Sequence, residues 1–207
     1  MLIFKAFSAL LSYPSADMHQ ALPQIAEVIR SSSLVSAREQ QGLMRLIDEL
    51  AAGDLLSAEE RYVDLFDRGR ALSLHIFEHL HGDGRDRGAA MVELKGLYSA
   101  AGFELTSSEL PDYLPVMLEY LSLRGISEAR DMLADCAHIL ASIARALIAR
   151  QSSYAAVPQA LIVIAGKNPV DARAVKPMHE PPEALDHDWV ERPAFADAAM
   201  PNAGSRM

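Results

Sequence analysis

A single cysteine, Cys136, is all the thiol chemistry this chain carries. Without a second thiol there is no intrachain disulfide, no Cys cluster for a structural zinc and no iron–sulfur ligand set, so a reducing, cytoplasmic setting is expected. Basic residues are also in deficit, with 19 Lys and Arg against 28 Asp and Glu and a formal charge of −9. Nucleic acid is disfavoured on that ground, because neutralising phosphates takes a surplus of cations on one face; a basic partner is easier to accommodate. Long hydrophobic runs are missing as well, the strongest lying around Ala160 to Ala165, far short of a bilayer span. The opening Met1-Leu-Ile-Phe-Lys-Ala-Phe has no basic stretch ahead of its apolar residues and is interrupted by Lys5. It reads as the first helix of the fold and not as a signal peptide. No internal repeat is found.

What is present is a chain of 207 residues, half of them hydrophobic and about a quarter charged, enough to build a core without staples. Helical spacing dominates from the start. Ile3, Phe7, Leu10 and Leu11 share a face, and Pro14 punctuates the segment. A second helix is expected from about Asp17, buried through Ala21, Ile25, Val28 and Ile29. Ser36 can cap a third, carrying Leu43, Leu46, Ile47 and Leu50 before Gly53. Ala58 to Phe66 continues the pattern until Asp67-Arg68-Gly69-Arg70, with the glycine suited to a C-terminal cap. A helix over Ala71 to His81 follows, then a charged turn at Gly82 to Arg87 and a helix holding Met91, Leu94, Leu97 and Tyr98. Asp112 can cap the next one, with Pro115 in its first turn. The longest helix is expected after Gly125, capped by Ser127 and packed through Met132, Cys136, Ile139, Leu140, Ile143 and Leu147. Val157 to Ala165 has strand propensity, yet no second strand exists to pair with it, so it reads as helix. Six of the eleven prolines fall after Gly166, a density no regular element survives. The expected organisation is all-α: a single-domain bundle of about nine to ten helices over 1–165 and a Pro-rich, irregular, flexible tail over 166–207, in which Trp189 and Phe195 are apolar groups able to dock.

The sharpest chemical motif is His75-Ile-Phe-Glu78-His79, an H-x-x-E-H pattern in which two histidines one turn apart can ligate zinc beside a catalytic glutamate. On a continuous helix these three share a face. A zinc-dependent hydrolase is the alternative function they support, although a third ligand is needed and spacing singles out neither Glu119 nor Glu128. The competing reading is a polar stripe on an amphipathic helix, and it is preferred. The glycines of Gly82 to Gly88 follow a helix, lack a G-K-[ST] ending and carry two aspartates that repel phosphate, so no nucleotide loop is read there. Cys136 lies on an apolar stripe and reads as inert core. No Ser–His–Asp set is supported by spacing.

Taken together, Tyr62-Val-Asp-Leu-Phe-Asp-Arg-Gly-Arg-Ala-Leu-Ser-Leu-His-Ile-Phe-Glu-His-Leu-His-Gly-Asp-Gly-Arg-Asp-Arg-Gly-Ala-Ala-Met91 resembles the nitrate reductase molybdenum cofactor assembly chaperones of the NarJ type. So do Glu109-Leu-Pro-Asp-Tyr-Leu-Pro-Val-Met-Leu-Glu-Tyr-Leu-Ser122, Leu10-Leu-Ser-Tyr-Pro14 and Trp189-Val-Glu-Arg-Pro-Ala-Phe195. The resemblance is strongest in the middle of the chain and weakest between Ile25 and Ser57. It implies the all-helical fold of redox-enzyme maturation chaperones, no catalysis and no cofactor of the chain's own. It further implies a partner, the catalytic (alpha) subunit of a respiratory nitrate reductase, bound through its N-terminal peptide while molybdenum cofactor is inserted and before membrane docking.

A basic amphipathic peptide can lie in a helix-lined groove with acids at its rim. The residues assigned to such a groove are Asp64, Phe66, Asp67, Leu72, His75, Glu78, His79, Arg87, Leu114, Met117 and Glu119, with Tyr62 and Phe77 as further floor and Asp112 as a further rim acid. Tyr62, Phe66 and Leu72 serve interior packing at least as readily, because a helical body uses most of its apolar stripes for itself. His75, Glu78, His79 and Arg87 are favoured for an exposed face, since polar groups are costly to bury unpaired.

Overall fold

The structure, a computed structural model, describes residues 1–81, 85–105 and 109–178. Ten α-helices occur among them. The central ones are those whose sequence is apolar nearly all round, the pattern of a helix covered on every side. Helix α1 (Leu2–Leu11) buries Ile3, Phe4, Phe7, Leu10 and Leu11 and lies along α7 (Leu114–Ser122), which buries Leu114, Met117, Leu118 and Leu121. Helix α9 (Ala137–Ala149) lies along α10 (Ala156–Ile164), and together they bury Ile139, Leu140, Ile143, Leu147, Val157, Leu161 and Ile162. Leu161 to Ile164 is therefore helical, as the lack of a pairing strand required.

Amphipathic helices surround this centre: α2 (Ala16–Ser31), α3 (Ala37–Ala52) and α4 (Leu55–Phe66). Each begins at a side-chain cap that satisfies otherwise orphaned amides. Ser15 accepts from the Met18 amide at 3.1 Å, and Asp54 accepts from the Ser57 amide at 2.7 Å. Ser36 forms a full capping box with Glu39, as its position predicts. Helix α3 meets α10 where Gly42 lies against Ala156; a Cβ at Gly42 would stand 3.3 Å from the Ala156 Cβ.

Two expected helices differ. The long helix after Gly125 is broken at Cys136 into α8 (Ile126–Asp135) and α9, bent by 68°. Gly125 occupies the N-cap position expected for Ser127. No single described helix is long and apolar enough to cross a membrane. The helix expected over 71–81 is a short 3-10 turn at Arg70–Leu72, an extended stretch, and then α5 (Ile76–His81). The cause is tertiary. The Ile76 amide donates to the Asp112 carbonyl (3.0 Å) and the Leu114 amide to the Leu74 carbonyl (2.8 Å), an isolated antiparallel bridge of His75 with Tyr113. Gly69 is extended, at φ −166°, and not a left-handed cap.

Helix α6 (Arg85–Ala100) packs on α5 and is anchored at its far end by Tyr98, whose hydroxyl donates to the Pro111 carbonyl at 2.9 Å and whose ring lies 4.7 Å from that of Tyr120. Three helix ends carry the left-handed residue of a Schellman motif. Gly102 and Gly166 fill that position after α6 and α10, both at φ 73°, while Gln151 fills it after α9 at φ 55°. Beyond α10 the chain stays attached as far as Val170, whose amide and carbonyl both bond the Gln159 side chain at 2.8 Å. Trp189 and Phe195 lie outside the described residues.

Candidate functional site

The site grows out of the bridge between His75 and Tyr113. Because the chain enters α5 from an extended segment, the first amides of that helix need acceptors. Asp112 supplies them: its carbonyl takes the Ile76 amide, and its Oδ2 takes the Phe77 amide at 3.1 Å. Asp112 therefore caps α5, whereas its sequence position suggested a cap for α7, whose N-cap is Tyr113. It is also fully buried, not a rim acid. A buried carboxylate has to be paired, and two cations answer it. The His75 Nδ1–H donates to Asp112 Oδ1 at 3.3 Å, and the Arg87 guanidinium lies 3.8 Å from Oδ2. Arg87 also donates to Glu78 at 3.1 Å. With His75 protonated, two positive and two negative groups balance. The hydrogen bond to Asp112 accordingly raises the His75 pKa above its ordinary value, against the opposing pull of burial, with Asp112 and Glu78 adding attraction and Arg87 repulsion.

The H-x-x-E-H pattern is dispersed by this arrangement. His75 precedes α5 and does not share a helical face with Glu78 and His79. His79 instead donates through Nε2 to the Ser73 carbonyl at 2.9 Å. Among the described residues no group of three His, Cys, Asp or Glu is placed to hold a metal, and the zinc hydrolase reading loses its geometric premise.

Aromatic rings flank the network. His75 stacks on Tyr113 at 5.2 Å; the Tyr113 and Tyr62 hydroxyls meet at 2.9 Å, and Tyr62 donates to the Leu11 carbonyl at 2.9 Å. Burial pushes both phenols up from their ordinary value. The half-exposed Tyr13 ring stands 5.5 Å from Tyr62, edge to face.

Of the residues assigned from sequence, Phe66, Asp67, His75 and Glu78 line one open cleft of about 500 Å³, together with Arg68, Arg70 and Ser73. Asp64 is exposed beside it and pairs with Arg68 at 3.1 Å. Leu72, Leu114 and Met117 are core residues, 2%, 1% and 5% exposed, so they support the cleft from within and do not form an open floor. Phe66 is also largely core, at 6%. Arg87 is mostly covered, with 17% of its side chain exposed, and works as an internal brace. Glu119 is exposed on α7, and no contact joins it to the others. Sequence reasoning missed Tyr113 and Tyr13, and it misjudged Asp112. The available signal was the run Pro111-Asp112-Tyr113, whose aspartate precedes one apolar helix but serves another.

The family model described as nitrate reductase delta subunit matches residues 14–157. The chain is 40% identical over 198 residues to the nitrate reductase molybdenum cofactor assembly chaperone NarJ of Escherichia coli K12, covering 92% of this chain and 84% of that one. Identity to the NarJ protein of Bacillus subtilis is 31% over 159 residues, covering 77% and 85% of the two chains. A solved structure from Archaeoglobus fulgidus, assigned to redox enzyme maturation, shares the fold at a TM-score of 0.56 and 23% identity, over 79% of this chain and 92% of that one.

Proposed function

This chain belongs to the nitrate reductase delta subunit family, and on that premise we propose that it is an assembly chaperone which binds the N-terminal segment of an apo catalytic subunit of a respiratory nitrate reductase in the cytoplasm. It holds that subunit while molybdenum cofactor is inserted and releases it before membrane docking. The observation that carries the reading is the cleft beside His75: an open surface formed largely by the segment in which the resemblance is densest, built on a rigid buried network. Asp67 at its lip offers a carboxylate to a basic side chain. Arg68 and Arg70 beside it limit that attraction to a side chain placed at the Asp67 end. Handover requires affinity in the micromolar to nanomolar range, roughly −8 to −12 kcal/mol, which a few anchors and one or two charge pairs supply.

Calorimetric titration with a synthetic peptide of the catalytic subunit's N-terminus tests this. Binding should be micromolar or tighter and weaken about tenfold in Asp67→Ala, whose exposed side chain can be removed without disturbing the core. A flat titration at high peptide concentration, or no effect of Asp67→Ala, would remove the cleft from consideration.

A further inference from the structure

Most polar side chains around the cleft beside His75 are spent on the frame itself. Arg68 is held by Asp64 at 3.1 Å, and Arg70 reaches across to donate to the Glu78 carbonyl at 3.0 Å. The Glu78 carboxylate is taken by Arg87 at 3.1 Å, and His79 donates to the Ser73 carbonyl at 2.9 Å. Each of these contacts braces one wall against another and leaves the group little to offer a visitor.

His75 is different because its two ring nitrogens have separate fates. Nδ1–H is committed to Asp112 Oδ1 at 3.3 Å, and the ring face is stacked on Tyr113 at 5.2 Å, so the imidazole is fixed both in direction and in plane. No described residue bonds its Nε2. That nitrogen is not sealed in either, since 27% of the side chain is exposed and the ring lines the open cleft. A group held from beneath and left open at one atom has already met the ordering cost of a contact.

The protonation state specifies what that atom can meet. Below about pH 6.5, the ordinary imidazole value, both nitrogens carry protons, and the neighbouring Asp112 and Glu78 favour the charged ring against the repulsion of Arg87. Nε2–H is then a donor with no acceptor capacity, and its bond to an oxygen is strengthened by the charge. It rewards an acceptor and penalises an N–H group or a cation at the same place. Asp67, an acceptor lining the same cleft, has the complementary preference.

We propose that His75 is the specificity-determining contact of the cleft, its Nε2–H donating to an oxygen of the client peptide, either a backbone carbonyl or a carboxylate. This rests on the cleft being the seat of the client and names the atom that reads it.

The full chain is titrated at pH 6 with the synthetic N-terminal peptide of a catalytic subunit, followed in parallel by calorimetry and by nitrogen spectra of the imidazole rings. The His75 signals are those that vanish in His75→Asn. On binding, the Nε2 resonance should shift while Nδ1, still on Asp112, stays near its free position. Asn keeps a donor toward Asp112 and puts nothing at Nε2, so His75→Asn should weaken the peptide about five- to tenfold. His75→Gln, whose amide extends toward the Nε2 position, should lose less than about threefold. Melting followed by circular dichroism verifies that both variants fold. A peptide with Ala in place of Asp and Glu separates the two oxygens: the Nε2 shift persists with a backbone carbonyl and disappears with a carboxylate. Heat without an Nε2 shift, unchanged affinity in His75→Asn, or equal losses in the two variants overturns the proposal and leaves the peptide site standing. No heat from the parent protein removes the peptide site and the His75 contact together.

Discussion

Asp112 does three jobs with one side chain: it caps α5, fixes the His75 ring and receives Arg87. Removing it leaves two cations and an amide facing a hole, so Asp112→Ala should cost about 3 kcal/mol in urea denaturation, with Asp112→Asn costing less because one acceptor oxygen remains. His75 gives the same network a pH dependence of known sign. Its folded pKa is raised, so the stabilisation it contributes is fully present below the unfolded value of about 6.5 and is lost as pH rises through the folded value. The stability difference between the parent protein and His75→Gln should therefore be largest near pH 6 and shrink toward alkaline pH; a difference that grows with pH would refute the pairing. Cys136 is inert for a related reason. It is 7% exposed, and burial pushes its thiol up to about 12, so a thiol reagent at pH 8 should modify the native protein far more slowly than the unfolded one.

At the scale of elements, helices were legible wherever one apolar stripe determined them. Ser36 with Glu39, the Leu43 to Leu50 stripe and Pro115 in the first turn of α7 all stand where local chemistry puts them. Two features were illegible for opposite reasons. Ala129, Leu133, Cys136, Leu140, Ile143 and Leu147 form one unbroken stripe, and nothing in it announces the 68° bend. Over 71–81 a helical pattern was present, but pairing with residues 112–114 overrode it, which a local reading cannot weigh. The cleft was therefore legible in composition and not in arrangement: Asp67, His75 and Glu78, named from the sequence, line it together, while Asp112, which pairs with His75 from beneath, was assigned to the wrong helix. Two substitutions probe element packing. Gly42→Val drives a branched side chain into Ala156 and should cost about 2 kcal/mol by separating α3 from α10. Gln151→Gly relieves a left-handed strain at the end of α9 and should gain about 0.5–1 kcal/mol in the melting curve.

Across the whole molecule, cohesion is uneven. Helices α1, α7, α9 and α10 are covered on nearly all sides, whereas α6 leaves Val92 72% and Leu97 43% exposed and is held chiefly through Leu94 and Tyr98. Hydrogen exchange should separate these layers, with α6 amides exchanging at least about a hundredfold faster than those of α7. Uniform protection would mean that the two layers open together.

The bridge between His75 and Tyr113 has a further consequence. The chain leaves the bundle at Ile76 and returns at Leu114 through the same pair of hydrogen bonds, so everything between is a closed detour. Only Glu78 of the residues lining the cleft belongs to the detour, and the detour is pinned to the frame where Tyr98 packs on Tyr120 and Arg87 pairs with Asp112. Insertions in that stretch should therefore be tolerated only where they spare those two moorings, and the surface facing a client can change at Phe66 to Ser73 without reopening the loop at all.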